Sequence, residues 1–271
     1  MKKQTKQHIV ILGCGNVAWH LAKQFQTLKK YELSIYNHKP NATLKDFQTK
    51  LKCKTFDSFS SIDQHADYYA VCVADRSIKE VAAQLTIKNP NALLFHCSGS
   101  AKIEDLGNRV HSTGVFYPLQ TFSKGDEVDW KHIPILIEAS SKEAGSKLHE
   151  LADQISRTVI SIDYRERLKL HLAAVMVNNF TNAMYVSALE LINQDSNKQV
   201  LNFNLLLPLI QQSVLKIGMM DPRAAQTGPA KRKDETVLKK HLQLLNENNE
   251  LAKLYKQLSK LIVKQQKRYH A

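Results

Sequence analysis

Gly13 and Gly15, separated by Cys14, stand at the end of an apolar run, HIVIL at residues 8–12, and the chain continues as G-C-G-N-V-A into an amphipathic stretch marked by Val17, Leu21, Ala22, Phe25 and Leu28. Strand, glycine turn and helix in that order make a cradle for a dinucleotide. Gly13 permits a tight turn off the strand, Gly15 lets the backbone approach a pyrophosphate, and Ala18 lets the helix pack closely on the sheet. The unpaired amides at the helix start then face the anion. Gly13, Cys14, Gly15, Asn16 and Val17 are therefore the candidate phosphate-binding residues.

A second β-rich run, YELSIYNHKP at 31–40, ends in Asn37, His38 and Lys39. In a dinucleotide fold the residue at that end meets the adenine ribose, where an acid favours a 2′-hydroxyl and a cation accommodates a 2′-phosphate. This turn holds no acid, and Lys39 is suited to pair with a phosphate, so the expected cofactor is NADP rather than NAD. The run ADYYAVCVAD at 66–75 ends in Val73 and Ala74, which should border the nicotinamide ribose, because ligands collect at the carboxyl ends of parallel strands. Asp75 reads either as a cap of the next helix or as a site residue. FHCSGS at 95–100 brings Ser98 and Gly99 to the same crevice.

Proton chemistry is expected further along. Residues 164–193 hold a 3.6-residue period through Leu168, Leu172, Val175, Met176, Phe180, Ala183, Val186 and Leu189, and His171, Asn178 or Asn179, and Asn182 fall close to one face. A polar stripe on an apolar helix needs partners or a ligand. Histidine exchanges a proton near neutral pH, which makes His171 the candidate acid, with Asn179 and Gln120 to orient the substrate. Tyr117, at the strand end that carries Gln120, is a candidate substrate contact. In TGPAKRKD at 227–234, Thr227 and Arg232 suit a loop whose guanidinium meets an anionic substrate, and the same residues also read as a turn with Asp234 capping the next helix.

Positioning these residues takes two kinds of architecture. Up to about residue 163, short β-branched runs near 8–13, 32–37, 68–74, 92–97, 113–117, 133–138 and 157–162 alternate with helical patterns at 44–51, 77–85 and 141–156. That is the signature of an α/β, doubly wound parallel sheet. Beyond it only helical patterns appear: 164–193, then 199–218 with Pro208 as a kink or a start, then a tail that Asp234 should cap and NENN at 246–249 should break. The expected domains are a dinucleotide-binding domain over 1–163 and an all-helical domain over 164–271.

Composition narrows the function classes. A chain of 271 residues with 43% hydrophobic content supports a sizeable core. Cys14, Cys53, Cys72 and Cys97 show no metal-ligand or paired spacing, so no metal is expected and the thiols read as reduced. No apolar run approaches the length of a membrane span and no signal-peptide pattern opens the chain, which points to a cytoplasmic protein. The net charge of +13 suggests nucleic acid, but from residue 231 onward eleven Lys or Arg against four acids alternate with leucines at helical spacing, with no aromatic platform. That is a solvated helix face, and nucleic acid is not an expected partner.

The segments GCGNVA (13–18), HCSGS (96–100), YPLQTF (117–122), HLAAVMVNNFTNAMY (171–185) and TGPAKRKDETV (227–237) resemble a Rossmann-like family of bacterial proteins labelled NADP oxidoreductases, whose second domain is a helical domain of unknown function. More distantly the layout is similar to pyrroline-5-carboxylate reductase, ketopantoate reductase and the β-hydroxyacid dehydrogenases. That resemblance implies a Rossmann domain, a helical partner and an active site in the cleft between them. It also implies an acid on the first long helix of the second domain, and here His171 stands where ketopantoate reductase-like enzymes have lysine. The expectation is hydride transfer between NADP(H) and a small carbonyl or imine, the alternative being a non-catalytic NADP-binding sensor or partner-binding module. The leucine-rich second domain further predicts a homodimer.

Overall fold

The structure, a computed structural model, describes residues 6–108, 110–193 and 202–269. Its sheet is built from β1 (Gln7–Leu12), β2 (Tyr31–Tyr36), β3 (Lys54–Phe56), β4 (Tyr68–Val71), β5 (Leu93–His96), β6 (Ser112–Pro118), β7 (Ile135–Ala139) and β8 (Val159–Ser161), in the order β3-β2-β1-β4-β5-β6-β7-β8. Neighbours from β3 to β6 are parallel, β7 runs antiparallel to β6, and β8 is parallel to β7. This is the doubly wound α/β architecture read from the sequence.

Two details differ from that reading. Strand β3 spans only three residues, KTF, too short for a period of two to register. Strand β7 runs antiparallel to β6, and the segment joining them forms a single 3-10 turn, Trp130–His132.

The alternation of β1 assigns the two faces of the sheet. Ile9 and Ile11 pack on one side with Ala18, Leu21, Ala22 and Phe25 of helix α1 (Asn16–Thr27). Val10 and Leu12 pack on the other with Ile78 and Ala82 of helix α3 (Ile78–Gln84), after helix α2 (Ala42–Lys50). All four β1 side chains are fully buried, each contributing about 1.5–3 kcal/mol of transfer free energy. Both faces being covered explains why β1 reads as a continuous apolar run instead of an alternating one. Helix α4 (Lys142–Asp153), capped by Ser141, adds Ala144, Leu148, Leu151 and Ala152 to the first face.

Asp163 and Glu166 cap the start of α5 (Tyr164–Ala174) reciprocally. The continuous 3.6-residue period expected over 164–193 is interrupted: Val175–Phe180 forms a π-helical turn before α6 (Thr181–Asn193). Such a turn inserts a residue and changes the face presented beyond it, yet His171, Val175, Asn178 and Asn179 all line one cavity.

By compactness the chain divides into Met1–Asn179 and Phe180–Ala271, further along than the end of the last strand near Asp163. In the second unit a 3-10 turn, Phe203–Leu206, leads into α7 (Leu207–Met219), with Pro208 in its first turn; residues 199–201 of the expected helix lie outside the described residues. Short helices α8 (Pro222–Ala225) and α9 (Pro229–Arg232) precede α10 (Glu235–Leu244), whose N-cap Asp234 accepts from the Val237 amide, and α11 (Asn249–Tyr269). The break, at 245–248, overlaps the NENN segment at 246–249. Among the described residues no helix is long and apolar enough to cross a membrane.

Candidate active site

The glycine turn has the geometry a bound anion requires. Gly13 sits at φ +110°, where a Cβ would lie 2.5 Å from the Cys72 carbonyl oxygen, so only glycine fits between β1 and β4. A Cβ on Gly15, by contrast, would meet nothing within 4 Å, leaving the backbone open to a ligand. Helix α1 starts with no side-chain cap at Gly15 and no acid in its first turn, so its leading amides keep their positive field for an anion.

A cavity of about 840 Å³ opens beside this turn, and every residue lining it belongs to the first compact unit. Gly15, Asn16 and Val17 line one part, Val73 and Ala74 after β4 another, Tyr117 near the end of β6 and Gln120 just beyond it a third, and His171 and Asn179 a fourth. Asn16 is also a structural brace, its side chain donating to the Phe122 carbonyl at 2.8 Å while buried His20 donates to that of Ser123 at 2.8 Å. These bonds hold the loop after YPLQ against α1. Gln120 is exposed, and its Oε1 accepts from the Thr121 amide at 2.8 Å.

His171 and Tyr117 are in direct contact, Nδ1 to Oη at 2.9 Å. Burial pushes the Tyr117 phenol up, against the opposing pull of the Arg167 guanidinium, so it keeps its proton. The phenol donates to Nδ1 when the histidine's proton is on Nε2 and accepts from Nδ1 when that nitrogen is protonated. Gly99 makes room for the pair, since a Cβ there would lie 2.4 Å from His171 Nδ1 and 2.9 Å from Tyr117 Cζ.

One turn before His171, Arg167 is completely buried. Its guanidinium donates to Glu138 Oε2 on β7 at 2.9 and 3.1 Å, to the Ser98 carbonyl at 2.9 Å and to the Ala101 carbonyl at 2.7 Å. The one side chain fastens α5, strand β7 and the HCSGS loop together, and so sets where Gly99 meets His171. The sequence reading missed Arg167, because RER in a helical first turn looks like a solvated face.

Ser98 is a loop organiser more than an open contact: its Oγ accepts from the Ser100 and Ala101 amides, and its own amide donates to His96 Nδ1 at 3.1 Å. His96 Nε2 donates to the Lys102 carbonyl. Asp75 accepts from the Ser100 hydroxyl and opens a 3-10 turn, Asp75–Ser77, whose N-cap is Ala74.

Burial, with Arg167 adding to it, pushes the His96 pKa down to about 4. An unfolded histidine takes its proton near pH 6.5, so between about 6.5 and 4 the unfolded chain binds the extra proton. Stability is complete above that window and falls as the pH drops through it, by on the order of 3 kcal/mol. Urea unfolding across the window should therefore show a steeper acid loss for the parent protein than for His96→Asn. Parallel curves would remove His96 from the account.

The remaining candidates lie elsewhere. Cys14 contacts the side chain of Asn41, the N-cap of α2. Asn37 donates to the Lys39 carbonyl at 2.7 Å and tightens the turn that leaves His38 and Lys39 exposed. Strand β3 adds what the sequence did not show at this turn. The Asn37 amide donates to the Phe56 carbonyl, so Asp57 comes alongside, and it lines a separate cavity of about 540 Å³ with Pro40, Asn41 and Lys45. Thr227 and Arg232 belong to the second unit at the two ends of α9: Thr227 precedes its N-cap, Gly228 at φ +102°, and Arg232 is its last residue, the amide donating back to the Gly228 carbonyl. Among the described residues no group of His, Cys, Asp and Glu is placed to hold a metal ion.

Residues 8–94 match the family described as NADP oxidoreductase coenzyme F420-dependent, and residues 133–262 match a domain of unknown function, DUF2520. No curated protein matches the chain. Among solved structures, a Bacteroides fragilis protein carrying the provisional name NADP oxidoreductase is 35% identical, with a TM-score of 0.88 over 96% of this chain and 98% of its own. Two others share the fold alone. Pyrroline-5-carboxylate reductase from Coxiella burnetii is 16% identical, with a TM-score of 0.54 over 97% and 98%. Prephenate dehydrogenase from A. aeolicus, solved with hydroxyphenyl propionate and NAD+, is 14% identical, with a TM-score of 0.56 over 98% and 99%.

Proposed function

Because the chain belongs to the NADP oxidoreductase family that joins a Rossmann-like domain to DUF2520, we propose that it reduces a small carbonyl or imine with NADPH, with His171 as the proton donor. The observation that carries this reading is the convergence of the open Gly15 turn, the β4 end and the Tyr117–His171 pair on one cavity.

NADPH, when bound, supplies the hydride. The amides at the start of α1 and the bare backbone of Gly15 hold the diphosphate, and Lys39 pairs with the 2′-phosphate. Val73 and Ala74 border the nicotinamide end. Protonated on both ring nitrogens, His171 gives its Nε2 proton to the oxygen or nitrogen that gains charge and is left neutral, with Nδ1 held by Tyr117. Asn179 and Gln120 orient the substrate. The helical unit associates two copies of the chain, an inference supported by Leu205, Leu209, Val214 and Met219, each more than half exposed.

Calorimetric titration with NADPH and NADH tests the cofactor. NADPH is expected to bind at least about tenfold more tightly, a preference that Lys39→Glu removes. Equal affinities, or a preference that survives the substitution, would overturn the role of Lys39 and leave Asp57 as the feature that governs the ribose. Tight NADPH binding with no oxidation across a panel of carbonyls and imines would favour the non-catalytic sensor.

A further inference from the structure

We infer that Cys72 and Cys97 are a redox modification site in which a hydroperoxide converts two thiols into a disulfide that remodels the cavity. The two sulfurs lie 3.6 Å apart, just past the ends of the adjacent parallel strands β4 and β5. The register pairs Val71 with His96, so the next two residues stand opposite each other. Neighbouring strands run about 4.8 Å apart, within the Cα separations of about 4.4–6.8 Å that a disulfide tolerates. Closing the bond takes the sulfurs to about 2.05 Å, a shift that residues beyond the last ladder pair can absorb.

The two thiols differ in a way that sets the order of events. Cys72 is partly exposed and lines the cavity, so a small peroxide can reach it. Cys97 is buried, and the Cys72 sulfur beside it together with burial holds its thiol well above the usual range. Cys72 is therefore attacked first. Its sulfur breaks the peroxide O–O bond and becomes a sulfenic acid, releasing an alcohol, or water from hydrogen peroxide. The Cys97 sulfur then bonds to the Cys72 sulfur, its proton leaving with the displaced hydroxyl as water. Two electrons pass from the two sulfurs to the peroxide, and a dithiol reductant reverses the change.

Both ends of the candidate active site feel the bond. The Cys72 carbonyl packs where any Cβ on Gly13 would lie, and the Cys97 backbone runs directly into Ser98 and Gly99, which carry the Arg167 and His171 contacts. Drawing the sulfurs together shifts the phosphate turn against the His171 side. Oxidised protein should bind NADPH at least about fivefold more weakly than reduced protein. This second half rests on the cofactor reading under the proposed function, whereas formation of the disulfide does not.

The test uses the full chain, reduced and then exposed to hydrogen peroxide. Mass spectrometry should find the chain two hydrogens lighter, with the Cys72 and Cys97 peptides linked, and dithiothreitol should restore it. Cys97→Ser should stop at a sulfenic acid on Cys72 that dimedone captures, and Cys97→Ala serves the same purpose if the buried hydroxyl prevents folding. Absence of the linked peptide, or sulfenic acid on Cys14 in preference to Cys72, would overturn the site. Calorimetry of both redox forms then separates the two claims. Linked protein with unchanged NADPH affinity refutes the coupling, while a linked chain in which neither form binds NADPH refutes the cofactor reading and leaves the disulfide standing.

Discussion

Replacing Arg167 with alanine is expected to lower the unfolding free energy by about 3–5 kcal/mol, the scale for breaking a buried ion pair from one side. The Glu138 carboxylate, 15% exposed, would lose its partner, and the Ser98 and Ala101 carbonyls would lose their donors. Arg167→Met combined with Glu138→Leu should recover the part due to the stranded carboxylate, but not the part due to the two carbonyls. Urea unfolding monitored by circular dichroism measures both, and a loss below about 1 kcal/mol for Arg167→Ala would show that the network carries little of the fold. The same substitution should loosen the HCSGS loop, because Arg167 is the side chain that ties the Ser98 carbonyl on α5's flank to Glu138 of β7.

His171→Ala is expected to reduce turnover by about 10²–10⁴-fold, the range for loss of a positioned general acid, while NADPH affinity changes by no more than about twofold. The asymmetry comes from where the residue sits. His171 lines the cavity and contacts Tyr117, while the phosphate turn is made by β1 and α1. Steady-state NADPH oxidation with a substrate from the carbonyl and imine panel gives turnover, and calorimetry gives affinity. Equal losses in both would make His171 a structural member of the cofactor site. Turnover that survives the substitution would transfer the acid role to the Tyr117 phenol, which keeps its proton.

The elements were legible wherever a period had room to establish itself. Strand β1 and helix α1 announce themselves because an apolar run, two glycines and a 3.6-residue pattern succeed one another within about twenty residues. Asp234 and the NENN break were legible for a similar reason, capping and helix interruption being decided within one or two turns. The π-helical turn at Val175–Phe180 was not, since VMVNNF fits an α-helical period equally well and the choice between hydrogen-bonding patterns depends on what surrounds the helix. The acid beside Asn37 was invisible too. Asp57 is twenty residues away in the chain, and only the pairing of β2 with the three-residue β3 brings it there.

The sequence by itself determined the α/β class, the glycine turn and the helical character of the second half, because each rests on interactions between residues a few positions apart. It also marked His171, Tyr117 and Gly99 as polar or small residues in places that called for a reason. Only the tertiary structure decided what the reason was. Gly99 is small because His171 and Tyr117 occupy the space its side chain would take, Arg167 is a clamp because separate segments present acceptors to it, and Cys72 faces Cys97 because two strands align. Contacts of that kind join residues tens of positions apart, and no local pattern encodes a distance across the sheet.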